Sequence, residues 1–225
     1  MFKTNFKRSA ATLARLSCTA LPALAETALT TLGTRGGPIA TYDRSQPANL
    51  LQVDDLNILV DVGDGFAGRL AGADVRTANL DSLFISHPHF DHVGGLFALL
   101  GLRFQTRPGR PVAIYGPPGT TALVEGIIAG MGPAMEAAYG LDSTDPIAPQ
   151  SLCTVQEMRG GDVVTRGDVA VTAVKNTHTS FAHGTDMDQK YESPALRFDT
   201  PDRSILYIGD TGPNEAVIGE DMGRC

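Results

Sequence analysis

Residues 83–92 read Leu-Phe-Ile-Ser-His-Pro-His-Phe-Asp-His, a short apolar run followed at once by a dense group of polar side chains. Three of the five histidines of the chain fall within the last six of these residues. Neutral imidazoles together with a carboxylate suit Zn²⁺ and similar divalent metals. We therefore predict a metal-binding motif, His-x-His-x-Asp-His, at His87, His89, Asp91 and His92. The alternative is a chance group of surface histidines.

The sequence on either side of this motif predicts where the motif lies in the fold. Residues 83–86 are typical of a buried strand, and residues 93–100 are typical of a loop that leads into an apolar helix. A strand end followed by a tight turn places side chains at the edge of a sheet, where a rigid scaffold meets a functional loop. We expect His87 and His89 to face one metal, with Asp91 and His92 beside a second.

The motif resembles the signature of the metallo-β-lactamase-fold hydrolases. Three further segments are similar to the ribonuclease Z-like branch of that superfamily: Leu-Gly-Thr-Arg-Gly-Gly-Pro at 32–38, Leu-Val-Asp-Val-Gly-Asp-Gly at 59–65 and Ile-Gly-Asp-Thr-Gly at 208–212. The resemblance extends from about Leu29 to Pro213. It implies an α/β fold, an αββα sandwich with metals at one sheet edge, and a hydrolase that uses two Zn²⁺ ions.

The resemblance also implies the remaining ligands. His178 matches the third histidine of the first metal site, and Asp210 matches the carboxylate that bridges both metals. The final histidine of such enzymes has no match, because no histidine follows His183. We therefore expect a C-terminally truncated domain whose second site holds Asp91, His92 and Asp210. His183 is the alternative to His178 as a ligand, or a substrate contact or surface residue.

Two bound metals would lower the pKa of a shared water and supply hydroxide near neutral pH. Asp91 is the candidate catalytic residue, because a carboxylate beside that water could orient it or take its proton. The leading functional hypothesis is a zinc-dependent hydrolase of an ester-like bond, with phosphodiesterase or esterase activity. A lactonase or β-lactamase is one alternative, and a non-catalytic, truncated metal-binding protein is another.

Other polar positions near predicted strand ends allow more than one interpretation. Asp61 follows an apolar run and either hydrogen-bonds to a ligating histidine or caps the strand. Tyr191 and Ser193 either line the pocket or are ordinary edge residues. Residues 116–119 read Gly-Pro-Pro-Gly, which predicts a turn rather than a phosphate loop because the lysine of such a loop is missing.

The composition favours one globular domain that acts on a small molecule. The net charge of −7 argues against passive nucleic-acid binding, which depends on basic side chains. No apolar run reaches about 18 residues, so we expect a soluble chain without a membrane span. A homodimer is a further expectation. The three cysteines, Cys18, Cys153 and Cys225, form no Cys-x-x-Cys spacing and predict neither a disulfide nor a metal ligand.

The N-terminal residues 1–25 predict a signal peptide that precedes a hydrolase domain at 26–225. An apolar stretch ends at Ala23-Leu24-Ala25, a small-x-small cleavage pattern. The charged residues before Glu26 are all basic: Lys3, Lys7, Arg8 and Arg15. Export would place the protein in the periplasm or outside the cell and change its net charge from −7 to −11. A disordered leader or a mis-assigned start on a cytoplasmic protein is the alternative.

Apolar patterns and Gly/Pro signals predict the order of the elements. Strands are expected at 28–34, 49–53, 56–62, 83–86, 111–115, 168–175, 195–199 and 204–208, and helices at 65–71, 93–102 and 120–131. Residues 133–150 have no clear pattern and are expected to cover the site or to form a dimer contact.

Overall fold

The computed structural model describes residues 26–137, 148–179 and 181–222. The predicted signal peptide at 1–25 and most of the segment 133–150 therefore lie outside the described residues. Within the described ranges the strands are β1 (Thr27–Gly33), β2 (Ala48–Val53), β3 (Leu56–Val60), β4 (Ser82–Phe84), β5 (Val112–Gly116), β6 (Cys153–Glu157), β7 (Val163–Arg166), β8 (Val169–Lys175), β9 (Pro194–Asp199) and β10 (Ser204–Tyr207). The α-helices are α1 (Phe66–Gly72), α2 (Phe90–Val93), α3 (Leu96–Thr106), α4 (Thr120–Ala137), α5 (Asp186–Lys190) and α6 (Glu215–Met222).

The first sheet has the order β1-β2-β3-β4-β5-β6 and changes direction in its middle. Its first three strands are antiparallel, and strands β3 to β6 are parallel. Leu83 of β4 pairs with Leu59 on one side and Ile114 on the other. A strand held between two parallel neighbours is buried on both faces and needs an apolar sequence. The apolar run before the histidine motif therefore becomes a central strand.

The second sheet is antiparallel, with the order β10-β9-β8-β7. Strand β8 alternates buried and partly exposed side chains, and Val169, Val171 and Ala173 are its buried positions. This period of two is the pattern of a strand with one face on the core. The second sheet therefore presents one apolar face to the first.

Two apolar cores hold the layers together. Between the sheets, the Phe84 ring stacks on Tyr115 with centroids 4.7 Å apart and meets Phe198 of the second sheet edge-on at 5.5 Å. On the outer face of the first sheet, the helices α1, α3 and α4 cover the second core, which includes Leu70 and Leu99. Helix α6 packs on β8 at the opposite outer face. These layers confirm the predicted αββα sandwich.

No helix in the described ranges combines the length and the apolar character needed to cross a membrane.

Every predicted strand and helix is present within a few residues of its expected bounds. Strands β6 and β7 and the short helices α2, α5 and α6 were missing from the prediction. Helix α4 also ends later than expected: it was predicted to end at residue 131 and continues through Pro133 to Ala137. Met131 is buried in the helix-covered core and Met135 packs against it, so burial offsets the backbone hydrogen bond that Pro133 removes.

Gly63 allows the motif-bearing turn to pack closely against the first sheet. A Cβ at this position would lie 2.4 Å from the backbone oxygen of Asp91 and 2.7 Å from Gln46. We expect Gly63→Ala to lower the free energy of unfolding by about 1–3 kcal/mol, the usual effect of overpacking. Urea denaturation measures this change. Gly68→Ala in α1 is the matched control, because its Cβ meets nothing within 4 Å, and an unchanged Gly63→Ala midpoint would contradict the prediction.

Candidate metal centre

The histidine motif lies at one edge of the first sheet, with His87 and His89 in the turn between β4 and α2 and Asp91 and His92 in α2. The Asp61 amide donates to Phe84 O at 2.8 Å, and the Val62 amide donates to His92 O at 2.8 Å. These two bonds attach both ends of the turn to the residues that follow β3. The expected strand, turn and helix are therefore present, and backbone hydrogen bonds fix the motif at the sheet edge.

Three histidines, His87, His89 and His178, form a first group whose ligand atoms lie within 4.8 Å of one another. His178 Nε2 lies 3.0 Å from His89 Nδ1. In a tetrahedral zinc site with Zn–N distances near 2.0–2.1 Å, two nitrogens are about 3.3 Å apart. The Asn176 side chain positions His178 by accepting its amide hydrogen at 3.0 Å. The structure thus brings together the histidines that were expected to share one metal.

A second group consists of His87, His92 and Asp210, again with ligand atoms within 4.8 Å. His92 Nε2 lies 3.6 Å from Asp210 Oδ1. His87 belongs to both groups, whereas the sequence interpretation placed it beside one metal alone. The sharing arises because the His87 and His92 rings lie side by side, with centroids 4.0 Å apart.

Asp91 lies beside the second group without belonging to either compact group of the described residues. Its Oδ2 is 3.6 Å from His92 Nε2 and accepts a hydrogen bond from the Gly37 amide at 2.8 Å. Gly37 lies in the loop between β1 and β2, so that loop reaches the site. The Asp91 carboxylate is therefore held in a fixed orientation at the edge of the centre.

The electrostatics of the site favour the neutral, ligating form of His87 and His178 and oppose it for His92. Burial, followed by the neighbouring histidines, lowers the pKa of His87 to about 2. Burial also lowers the pKa of His178, although Asp210 opposes this change. For His92, burial acts to lower the pKa, but Asp61, Asp210 and Asp91 outweigh it and raise the value.

Two buried ring nitrogens, His87 Nε2 and His92 Nε2, have no hydrogen-bond partner among the described residues. Buried polar atoms are usually satisfied, so each such exception calls for an explanation. A divalent cation coordinated by these nitrogens and by Asp210 would supply the missing partner. Imidazoles and a carboxylate are the donors that zinc prefers. The residues present therefore fit a bound zinc ion.

Asp61 orients His92 from behind. Its carboxylate is fully buried, and Asp61 Oδ2 accepts a hydrogen bond from His92 Nδ1 at 2.7 Å. Such a carboxylate–histidine pair fixes the ring orientation and leaves the other nitrogen for a metal. The structure thus contains the hydrogen bond that was one of two interpretations of Asp61.

The remaining candidate positions lie outside both groups. His183 is exposed, and its Nδ1 is 3.5 Å from Asp188 Oδ2. Ser193 is buried, and its backbone oxygen accepts a hydrogen bond from the backbone amide of Asn176. The Tyr191 ring lies near the ring of Phe181. Residues 116–119 form the predicted turn, and the Gly119 amide donates to Glu157 Oε1 at 2.9 Å.

Sequence reasoning missed two polar residues that hydrogen-bond to Asp61, Ser86 and Tyr207. Ser86 directly precedes His87, and Tyr207 stands three residues before Asp210, so both were within motifs already singled out. Each had been assigned to an apolar strand run. Only their hydrogen bonds to Asp61 distinguish them from ordinary strand residues.

Comparison with known proteins shows the family to which the chain belongs. Residues 27–224 match the family model described as "Anti-Pycsar protein Apyc1". A ribonuclease Z from Mycobacterium avium (strain 104) is 30% identical over 188 residues, which cover 82% of this chain and 63% of the relative. The chain thus spans less than two thirds of the length of that relative.

Solved structures agree on the fold. The metallo-beta-lactamase fold protein YhfI from Bacillus subtilis superimposes with a TM-score of 0.58 at 19% identity, over 84% of this chain and 64% of YhfI. The short form of human tRNase Z gives a TM-score of 0.56 at 22% identity, over 82% of this chain and 69% of its own. The chain belongs to the family described as anti-Pycsar protein Apyc1, within the ribonuclease Z-like branch of the metallo-β-lactamase superfamily.

Proposed function

We propose that this protein is a zinc-dependent hydrolase of phosphodiesters or related esters, acting on a small anionic molecule. The observation that carries the proposal is the pair of ligand groups that share His87 at one sheet edge. Membership of a hydrolase superfamily supports the general reaction. The two groups are close enough for both to act on one substrate, because the His87 ring lies within 4.8 Å of the ligand atoms of each.

The proposed ligand roles follow the two groups. His87, His89 and His178 would hold one ion, and His92 and Asp210 would hold the other, because the single free lone pair of a neutral His87 can coordinate only one ion. When bound, two divalent ions would polarise the ester under attack and provide a nucleophilic water near neutral pH.

Asp91 is the proposed proton acceptor. It is 8% exposed, and the Gly37 amide fixes one of its oxygens, so its carboxylate keeps one orientation at the edge of the centre. A carboxylate in this position can orient the attacking water and take its proton. Both groups consist of imidazoles and carboxylates, so the bound ions would supply the positive charge that balances an anionic substrate.

Two observations favour a small phosphodiester as the substrate. The curated relatives carry the name ribonuclease Z, and ribonucleases cleave phosphodiester bonds. The net charge of −7 opposes binding of a long nucleic acid, because that binding depends on neutralisation of phosphates by lysine and arginine. A small phosphodiester needs only the local positive charge of the ions.

Metal content and hydrolysis, measured together, test the proposal. The parent protein is expected to bind close to two zinc ions per chain, by mass spectrometry, and to hydrolyse bis-p-nitrophenyl phosphate. Asp210→Ala is expected to bind fewer ions and to lose at least about 10²-fold in rate, because ligand loss removes transition-state stabilisation. Asp168→Ala is the matched control, since Asp168 is exposed on the turn between β7 and β8.

A lactone and nitrocefin complete the panel and separate the alternatives. Hydrolysis of either compound without cleavage of the phosphodiester would replace the proposed substrate class. Two bound ions without turnover of any compound would favour a non-catalytic metal-binding protein. Absence of bound zinc in the parent would refute the metal-dependent reaction itself.

A further inference from the structure

We propose that Tyr207, Asp61 and Ser86 form one positioning unit that fixes the proton positions on His87 and His92, and so couples the two ligand groups. This inference rests on the proposed function for its consequence, the binding of two ions. Its structural basis is independent of catalysis, because it concerns hydrogen bonds between groups of the protein itself. None of the three side chains belongs to either ligand group.

Four hydrogen bonds converge on the Asp61 carboxylate. Oδ1 accepts the Ser86 amide at 2.8 Å. Oδ2 accepts the Ser86 hydroxyl at 2.8 Å, His92 Nδ1 at 2.7 Å and the Tyr207 hydroxyl at 2.6 Å. An ionised carboxylate offers about four acceptor sites and no donor. All four partners must therefore donate, and His92 carries its proton on Nδ1.

Ser86 extends this constraint to His87. The Ser86 hydroxyl has one hydrogen, which it donates to Asp61, and its oxygen lies 3.0 Å from His87 Nδ1. The second bond requires His87 Nδ1 to be the donor, since the serine hydrogen is already used. His87 Nε2 is then left with a free lone pair, like His92 Nε2. These are the two buried histidine nitrogens that have no hydrogen-bond partner among the described residues.

Tyr207 supplies the bond that reaches across the sandwich. It ends β10 in the second sheet, whereas Asp61 follows β3 in the first sheet, and the two residues are 146 positions apart. Burial, followed by the charge of Asp61, raises the pKa of Tyr207, so the hydroxyl remains protonated and donates. Three residues later the same segment presents Asp210 to the second group. Tyr207 thus ties the Asp210 segment to the carboxylate that orients His92.

The Asp61 carboxylate therefore orients two ligand histidines, His92 directly and His87 through Ser86. A rotation of Asp61 would disturb His92 directly and His87 through Ser86. Partners behind metal ligands commonly change metal affinity by about 10–100-fold when they are removed. We therefore expect loss of the Tyr207 hydroxyl to weaken zinc binding, although Tyr207 lies outside both ligand groups.

Ring-nitrogen NMR on metal-free, ¹⁵N-histidine-labelled protein tests the unit directly. The five histidines of the chain give few signals, and mutation of each assigns them. At a pH above the raised pKa of His92, the parent is expected to show the Nδ1-protonated tautomer for His87 and His92. Tyr207→Phe is expected to move His92 toward a mixture of tautomers, and Ser86→Ala is expected to do so for His87. Tyr115→Phe is the control, because it removes a hydroxyl from the same inter-sheet core.

Zinc titration of the same variants gives the second readout. Tyr207→Phe is expected to bind the weaker of the two ions at least about tenfold less tightly, and Tyr115→Phe is expected to match the parent. Parent-like tautomers and zinc affinities in both Tyr207→Phe and Ser86→Ala would overturn the inference. The NMR result does not depend on turnover, so a protein that hydrolyses no ester would refute the proposed function and leave the positioning unit to be judged by its tautomers.

Discussion

Replacement of His87 by alanine is expected to weaken binding of both zinc ions, because its ring lies within 4.8 Å of the ligand atoms of both groups, whereas His89→Ala should weaken binding of one. The difference follows from the structure, in which His87 belongs to both ligand groups and His89 to the first alone. Metal polarisation supplies several kcal/mol of transition-state stabilisation, and each 1.36 kcal/mol is tenfold in rate. Hydrolysis by His87→Ala should therefore fall by at least about 10³-fold, measured with the ester that the parent cleaves.

Stability measurements separate this effect from misfolding. His87 Nε2 is buried and has no hydrogen-bond partner among the described residues, so its removal relieves a desolvation penalty while it removes the bond to Ser86. We expect urea unfolding of His87→Ala in EDTA to stay within about 1 kcal/mol of the parent. Zinc at 100 times its dissociation constant should stabilise the parent by about 2.7 kcal/mol and the variant by almost nothing. Equal stabilisation of both by zinc would contradict the assignment of His87 to both groups.

The candidate ligands could be predicted from the sequence because their signal is local. Four of them lie within six residues, directly after an apolar strand, so strand geometry alone brings them to a sheet edge. His178 and Asp210 came from the family resemblance, and the structure places both within a ligand group. Their metal binding stays a prediction, as does the export signal at 1–25.

The sharing of His87 and the role of Tyr207 could not be predicted in this way. Both depend on how the second sheet packs against the first. Tyr207 and Asp61 are 146 residues apart, and nothing in either local pattern indicates that their side chains meet. In sequence, Tyr207 is one residue of an apolar run, so its hydroxyl carries no separate signal.

The strands that were missed have weak periodic patterns for a physical reason. Strand β6 is an edge strand of the first sheet, and Cys153 is its one buried position. Strand β7 is an edge of the second sheet and buries Val164 alone. An edge strand has fewer neighbours to cover it, so its sequence need not alternate between apolar and polar residues. The central strand β4 is buried at every position, and its apolar run could therefore be predicted from the sequence.

Asp61→Ala is expected to cause the largest loss of stability among single substitutions near the site. The carboxylate is fully buried and accepts hydrogen bonds from Ser86, His92 and Tyr207. Removal of one partner from a buried charged pair typically costs about 3–5 kcal/mol, because the remaining donors are left unsatisfied. The backbone adds to this, since Asp61 has a φ of 58° that alanine tolerates less well. Urea denaturation of metal-free protein measures the total.

Two further variants separate the hydrogen bonds from the backbone. Asp54 has a similar φ of 49° but is exposed in the turn between β2 and β3, where its side chain accepts only an exposed hydrogen bond from the Glu26 amide, so Asp54→Ala should cost little beyond the backbone term of about 1–2 kcal/mol. Asp61→Asn keeps the size and tolerates the positive φ, yet its amide nitrogen would face donors, so an intermediate loss is expected. If Asp61→Ala and Asp54→Ala lost the same stability, the buried hydrogen bonds would contribute nothing, and Asp61 would matter only as a residue that accepts a left-handed backbone.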